Sequence, residues 1–299
     1  MSSLPKRPGS VLRTGRGAIL PALLGLPVRA EKQALGGKTM LLNGHVAIIT
    51  GGGRGIGRAI AQRFAAEGAA VVLAARTAKE LERVAGEIQQ AGGRAAWVVA
   101  DVSREADCER LARTAREAFG AVHILVNNAG DYGPVKPVEE ITPEEWDAVI
   151  AVHLRGAFLL TRLVLPEMYA RGSGVILNIS SLSAKAAFAW GSPYAAAKAG
   201  ILGLTRYAAA EAARKGVRVN ALCPGPVTET RMSQELGAKI AARLGVSPEQ
   251  QVAQFVQQIL QGRPQTAKEI AAAALFLVSG EASAITGQAL NVDGGMAFY

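Results

Sequence analysis

From residue 41 onward, short apolar runs rich in β-branched residues alternate with longer amphipathic stretches. The runs at 45–50 (HVAIIT), 70–75 (AVVLAA), 95–100, 124–127, 175–179, 217–222 and 289–292 read as strands. Their nearly continuous apolar character fits strands buried on both faces. Helices are predicted from the glycines after the first run to 67, then over 79–91, 104–119, from 142 onward, over 193–215 and from 266 to 278. Two helix starts are spelled out. Thr142-Pro143-Glu144-Glu145 and Thr266-Ala267-Lys268-Glu269 each form a capping box, the first with proline in its first turn. Seven such strands separated by helices predict an α/β fold, a doubly wound sheet of seven mainly parallel strands with helices on both faces. Nothing over 41–299 reads as a linker, so one domain is expected there. The stretch 225–263 is long and irregular, although Ser247-Pro248-Glu249-Gln250 is a helix start. A long connection after a strand's C-terminal end is where an open α/β sheet carries the loop that covers its ligand.

Residues 1–40 break the pattern. They hold four prolines, six glycines and no sustained period, and read as a disordered extension. A flexible tail or upstream translation ahead of Met40 is the favoured account. A transit peptide and a secretory signal cored on 18–28 are the competitors. The same stretch carries seven basic residues against one acid, which leaves only +3 of the net +9 for 41–299. The basicity therefore belongs to the tail and is no argument for a nucleic-acid partner. Two widely spaced cysteines, Cys108 and Cys223, imply a reducing, cytoplasmic setting without a disulfide framework. With three histidines and no paired cysteines, no metal site is expected. No apolar run reads as long enough to cross a bilayer.

Thr50-Gly51-Gly52-Gly53-Arg54-Gly55-Ile56-Gly57 sits between the first strand and the first helix. Glycines permit a tight turn and close backbone approach to a pyrophosphate, and the helix N-terminus offers free N–H groups and a positive dipole end. The second strand ends Ala74-Ala75-Arg76, without the carboxylate that accepts from a ribose 2′-hydroxyl. Arg76, with Arg54 nearby, suits a 2′-phosphate, so NADP(H) is expected ahead of NAD(H). Tyr194 and Lys198 lie four apart on one helix face. A tyrosine ordinarily titrates near ~10. A lysine ammonium, a helix N-terminus and an oxidised nicotinamide would all favour its phenolate and fit it for proton transfer.

The chain resembles the short-chain dehydrogenase/reductase family over essentially all of 41–299. The resemblance rests on TGGGRGIG at 50–57, Asp101-Val102, Asn127-Asn128-Ala129-Gly130, Ser181, Tyr194 with Lys198, Pro224-Gly225 and Val292-Asp293-Gly294-Gly295, in that order and spacing. It implies a Rossmann-type fold with Tyr194 as acid-base catalyst. Lys198 would bind the nicotinamide ribose and lower the tyrosine pKa, and Ser181 would hold the substrate oxygen. It also implies that Gly51, Gly53, Arg54, Gly55, Ile56 and Gly57 line the pyrophosphate and that Arg76 faces the 2′-phosphate. Asp101 and Val102 would flank the adenine, Asn128, Ala129 and Gly130 the ribose, and Pro224, Gly225 and Val227 the nicotinamide. One position departs: His153 stands where the family usually has the asparagine of its proton relay. Histidine can hold a water through either ring nitrogen, so activity is expected to survive. The rival reading is a weakened relay.

The reading this supports is reversible NADP(H)-linked reduction of a ketone or aldehyde, closest to 3-oxoacyl-carrier-protein reductases. NAD(H)-linked dehydrogenation of polyols, sugars, steroids or cyclic alcohols is the alternative, and a non-catalytic cofactor sensor the rival from another class. An acyl thioester on an acidic carrier would need basic residues at the mouth, for which Arg155, Arg162 and Arg171 are candidates. Phe188, Trp190, Met232, Leu236 and Phe255 are candidates for a substrate pocket. Trp97 and Trp146 read as packing residues. The small residues of 193–215 suggest close helix packing in a homotetramer or homodimer.

Overall fold

The computed structural model describes residues 40–298. The expected extension therefore lies, Met40 apart, outside the described residues. β1 (Val46–Thr50), β2 (Ala70–Ala75), β3 (Arg94–Val99), β4 (Ile124–Asn127), β5 (Gly174–Ile179), β6 (Val217–Pro224) and β7 (Ala289–Val292) form one sheet in the order β3-β2-β1-β4-β5-β6-β7. Every pairing is parallel. The order reverses between β1 and β4, and an open sheet of this kind binds ligands in the crevice at such a switch point, outside the strands' C-terminal ends.

Helices cover both faces. α1 (Gly55–Ala66), α2 (Ala78–Gln90) and α9 (Ala267–Val278) pack on one through Ile60, Phe64, Leu81, Val84, Ile270 and Leu277. α3 (Glu105–Phe119), α5 (Gly156–Arg171) and α6 (Ser192–Ala212) pack on the other through Leu111, Leu160, Val164, Met168 and Ala209. The expected capping boxes are present at Thr142/Glu145 and Thr266/Glu269. The stretch 225–263 contains α7 (Arg231–Leu244) and α8 (Pro248–Val256), the latter opened by a Ser247/Gln250 capping box.

Two expectations are corrected. Trp97 is 39% exposed rather than packed, because β3 is the sheet's edge strand and one of its faces meets solvent; Trp146 is likewise 37% exposed. The helix opening at Thr142 runs on as expected, but its apolar length departs from the reading that no run is long enough to cross a bilayer. α4 (Pro143–Ile150), a π-helical turn over Ala151–Arg155 and α5 form a continuous 29-residue helix apolar enough, at a mean hydropathy of 1.7 over its best window, to meet the length and composition of a membrane span. Of that window, 44% is buried within the fold, and α5 packs on α3, β4 and β5. Several small residues of α6 also serve this chain's own packing. Ala208, Ala209 and Ala212 press on its own sheet, and a Cβ on Gly200 would lie 2.7 Å from the Leu154 side chain.

Candidate active site

The phosphate turn is built by backbone constraints. Gly51 and Gly55 hold φ of +66° and +52°, which disfavour any side chain. A Cβ on Gly57 would fall 2.2 Å from the Gly51 carbonyl oxygen, so α1 reaches the turn only as glycine. The first N–H groups of α1 have no helical acceptor and open onto the crevice. Thr50 locks the turn to the strand beside it. Its hydroxyl donates to the Val126 carbonyl (3.2 Å) and accepts from the N–H groups of Asn128 (2.9 Å) and Ala129 (3.0 Å).

Above this turn lies a cleft of about 180 Å³ lined by Gly51, Gly53, Arg54, Gly55, Ile56 and Gly57, and also by Arg76, Asp101, Val102, Asn128, Ala129 and Gly130. Twelve residues assigned to a dinucleotide thus come together in one place. The cradle of glycines, the free N–H groups and the cationic far end fit a dinucleotide phosphate. The same cleft holds residues the sequence did not single out. Glu80 faces Arg54 at 3.2 Å, and Arg231 reaches in from α7. Asp131 stands 3.7 Å from Arg76.

A second cavity of about 540 Å³ adjoins the first and contains Ser181, Tyr194, Lys198 and His153, with Pro224, Gly225 and Val227 on its wall. Pro193 starts α6 and places Tyr194 in its first turn, one turn before Lys198. Both side chains are buried. The Lys198 ammonium donates to the Ile179 carbonyl at 2.8 Å and lies 5.5 Å from the centre of the Tyr194 ring. Ser180 donates to the Lys198 carbonyl (2.9 Å), tying β5 to α6. Ser181 is within hydrogen-bonding reach of Tyr194.

Burial dominates the electrostatics. It pushes Tyr194 up to about 12 against the pull of Ser181 and drives Lys198 down to about 7. In the polypeptide alone burial sets the direction for Tyr194, and the pull towards the phenolate comes from Ser181. An oxidised nicotinamide ring would add the positive charge that restores the phenolate.

His153 sits in the π-helical turn and is 2% exposed. Its Nε2 faces the Asp131 backbone, 2.6 Å from the carbonyl oxygen, to which it donates in the Nε2–H tautomer, and 3.3 Å from the N–H; its ring meets Tyr194 edge-on at 5.3 Å. Only Nδ1 is then left to hold a water, not either nitrogen. Among the described residues, Nδ1 and the buried Asn127 Oδ1 both lack a hydrogen-bond partner. Their residues line, with Lys198, a pocket of about 10 Å³, close to the space one water needs. Burial, then the Lys198 charge, holds the imidazole neutral at about 3. Gly130 is obligatory beside it, since a Cβ there would lie 2.0 Å from His153 Cε1.

Phe188, Trp190, Met232, Leu236 and Phe255 all line the larger cavity, as expected. Tyr132 was not foreseen, although its ring stacks on Tyr194 at 4.8 Å. Only its position, two residues after Gly130, could have pointed to it. Trp190 is the one non-glycine residue with positive φ (+66°) among those described, and Arg243 covers its indole at 5.8 Å. Arg155, Arg162 and Arg171 do not form a patch at the mouth. Arg155 donates to the Ser103 carbonyl, Arg162 pairs with Glu105 at 2.6 Å, and Arg171 donates to the Val122 carbonyl at 2.7 Å.

Residues 45–241 match the short chain dehydrogenase family. D-beta-hydroxybutyrate dehydrogenase of Cupriavidus necator is 39% identical over 258 residues, covering 85% of this chain and 98% of its own. A substituted actinorhodin polyketide ketoreductase crystallised with NADPH superposes with a TM-score of 0.82 at 36% identity, over 85% of this chain and 98% of its own. NAD+-bound xylitol dehydrogenase gives a TM-score of 0.82 at 28% identity, over 85% and 99%. The chain belongs to the short-chain dehydrogenase/reductase family and is an oxidoreductase of hydroxyl and carbonyl groups served by a nicotinamide cofactor.

Proposed function

We propose that the protein is an NADP(H)-dependent carbonyl reductase acting on ketones of the 3-oxoacyl or polyketide kind, working as a homotetramer or homodimer. The observation that carries the cofactor choice is Arg76. It ends β2 inside the dinucleotide cleft, with no carboxylate on the strand end itself and with Arg54 and Arg231 on the same wall. A relative crystallised with NADPH supports the choice.

The cofactor supplies the hydride. The polypeptide supplies the rest. Tyr194, protonated throughout the neutral range, gives its proton to the substrate oxygen as negative charge develops there. Ser181 donates a hydrogen bond to the same oxygen. Lys198, fixed by the Ile179 carbonyl, holds the ribose and stands behind Tyr194 as the next group toward the His153 pocket. The apolar wall excludes water and strengthens each of these interactions.

One observation favours NAD(H) as a second reading. Arg54 and Arg76 each already face a carboxylate, Glu80 and Asp131, so a 2′-phosphate must displace part of that pairing. Steady-state kinetics with each cofactor decide the matter. NADPH is expected to show at least about tenfold higher kcat/KM than NADH, and R76E to invert the preference. Equal or better use of NADH by the wild type would overturn the NADP(H) assignment.

A further inference from the structure

The larger cavity has an unusual charge inventory. Among its lining residues the only ionisable cation is Lys198, which is buried, hydrogen-bonded to Ile179 and committed to the catalytic end; no arginine, aspartate or glutamate contributes. The walls are Tyr132, Phe188, Trp190, Met232, Leu236 and Phe255. Beside the hydroxyls of Ser183, Thr230 and Ser233, the cavity is lined by three carboxamides: Gln251 and Gln254 on α8, on the side that carries Phe255, and Gln258 in the turn that follows the helix. Phe255 itself meets Phe188 at 5.8 Å across the cavity. Tyr194 and Lys198 are buried, whereas Gln254 and Gln258 are exposed, so the glutamines stand at the solvent end. Among the described residues, none of the three carboxamides has an intramolecular hydrogen-bond partner, in contrast to Gln250 one position away, whose amide closes the α8 capping box.

We infer that this cavity takes a bulky, uncharged, ring-bearing ketone or its alcohol, and that Gln251, Gln254 and Gln258 form a subsite for a neutral hydrogen-bonding group at the end of the substrate remote from the reacting carbon. The inference rests on the carbonyl-reductase reading and narrows it. A cavity of about 540 Å³ accommodates two fused rings beside a nicotinamide. Aromatic walls reward flat or alicyclic surface. A carboxylate or phosphate on the substrate would lose its hydration with no counter-charge on the lining beyond the catalytic end, since Arg243 lies behind the Trp190 indole rather than on the lining. Carboxamides both donate and accept, so they suit a hydroxyl, a second carbonyl or an amide equally.

The test is kcat/KM for three matched ketones with saturating NADPH, repeated with NADH: 2-tetralone, 7-hydroxy-2-tetralone and the 7-carboxylate. The hydroxyl is expected to raise kcat/KM about 5- to 10-fold, and the carboxylate to lower it at least about 100-fold. In the Q251L/Q254L/Q258L variant the hydroxyl advantage disappears while 2-tetralone turnover persists. Q254L alone, which should lose part of the advantage, serves if the triple variant misfolds. Turnover of the carboxylate at the rate of 2-tetralone, or a hydroxyl advantage that survives the substitutions, overturns the subsite while leaving the reductase reading intact. Failure of every tetralone while an acetoacetyl thioester is turned over overturns the ring-ketone inference alone; failure of the tetralones and the thioester with both cofactors, in either direction, overturns the reductase reading as well.

Discussion

At the scale of residues, what was legible was chemistry that a fixed spacing imposes. Tyr194, Lys198 and Ser181 share a cavity because one helix turn and one strand end hold them there. Tyr132, Asp131 and Glu80 were not legible, because their roles arise from contacts between segments far apart in the chain. His153 was visible as a departure, but its tautomer and its hold on the Asp131 carbonyl were not. A pH effect follows from it. Its folded pKa of about 3 lies below the ordinary value of 6.5, so the unfolded chain binds more protons between those limits. The neutral ring's contribution to stability is therefore complete above about pH 6.5 and is lost as pH falls towards 3. H153N removes that titration. Its melting temperature should fall less than the wild type's between pH 6.5 and 4.5 by differential scanning fluorimetry; parallel declines would mean that His153 is not buried neutral. Turnover of H153N is expected within about threefold of wild type, since asparagine can also hold a water through its side-chain amide. A much faster variant would mean that histidine weakens the relay.

At the scale of elements, the seven strands were read correctly because each is short, apolar and flanked by glycine or polar breakers. Capping boxes fixed two helix starts, and a third inside 225–263, from the sequence alone. The misreading of Trp97 has a cause outside its own segment. Edge position decided the exposure of Trp97, and nothing local announces an edge. The continuous helix over 143–171 was legible because no proline or other breaker interrupts its first four turns, whereas the π turn inside it has no local signal. Its irregular turn places His153 under the Gly130 loop, where a side chain on that glycine would collide. The phosphate turn makes a sharper prediction. G57A drives a methyl to 2.2 Å from the Gly51 carbonyl, so the turn or α1 must shift. We expect at least about 100-fold weaker cofactor binding by isothermal titration calorimetry, with the fold retained by circular dichroism. Unchanged affinity would show that the turn does not receive the pyrophosphate.

At the scale of the whole molecule, the sheet and its switch point set a cleft suited to a dinucleotide directly against the cavity that holds the buried Tyr194. Assembly was expected from small residues on α6, yet several of those are spent inside the chain. The outward candidates are aromatic: Trp146 on α4, Phe158 on α5 and Tyr207 on α6, exposed by 37%, 47% and 74%. Replacing all three with Ser should shift multi-angle light scattering from tetramer or dimer towards monomer at micromolar concentration; an unchanged mass would place the interface elsewhere, and a monomeric wild type would remove it. The central claim is that Tyr194 is the proton donor of a nicotinamide-linked reductase. Its most direct test is NADPH oxidation, followed spectroscopically against ketones that include an acetoacetyl thioester, by wild type and Y194F at equal cofactor occupancy. The wild type should turn over, and Y194F should be slower by about 10³-fold or more while binding NADPH equally well. Equal rates in the two proteins, or tight binding with no turnover in either direction, would contradict the account.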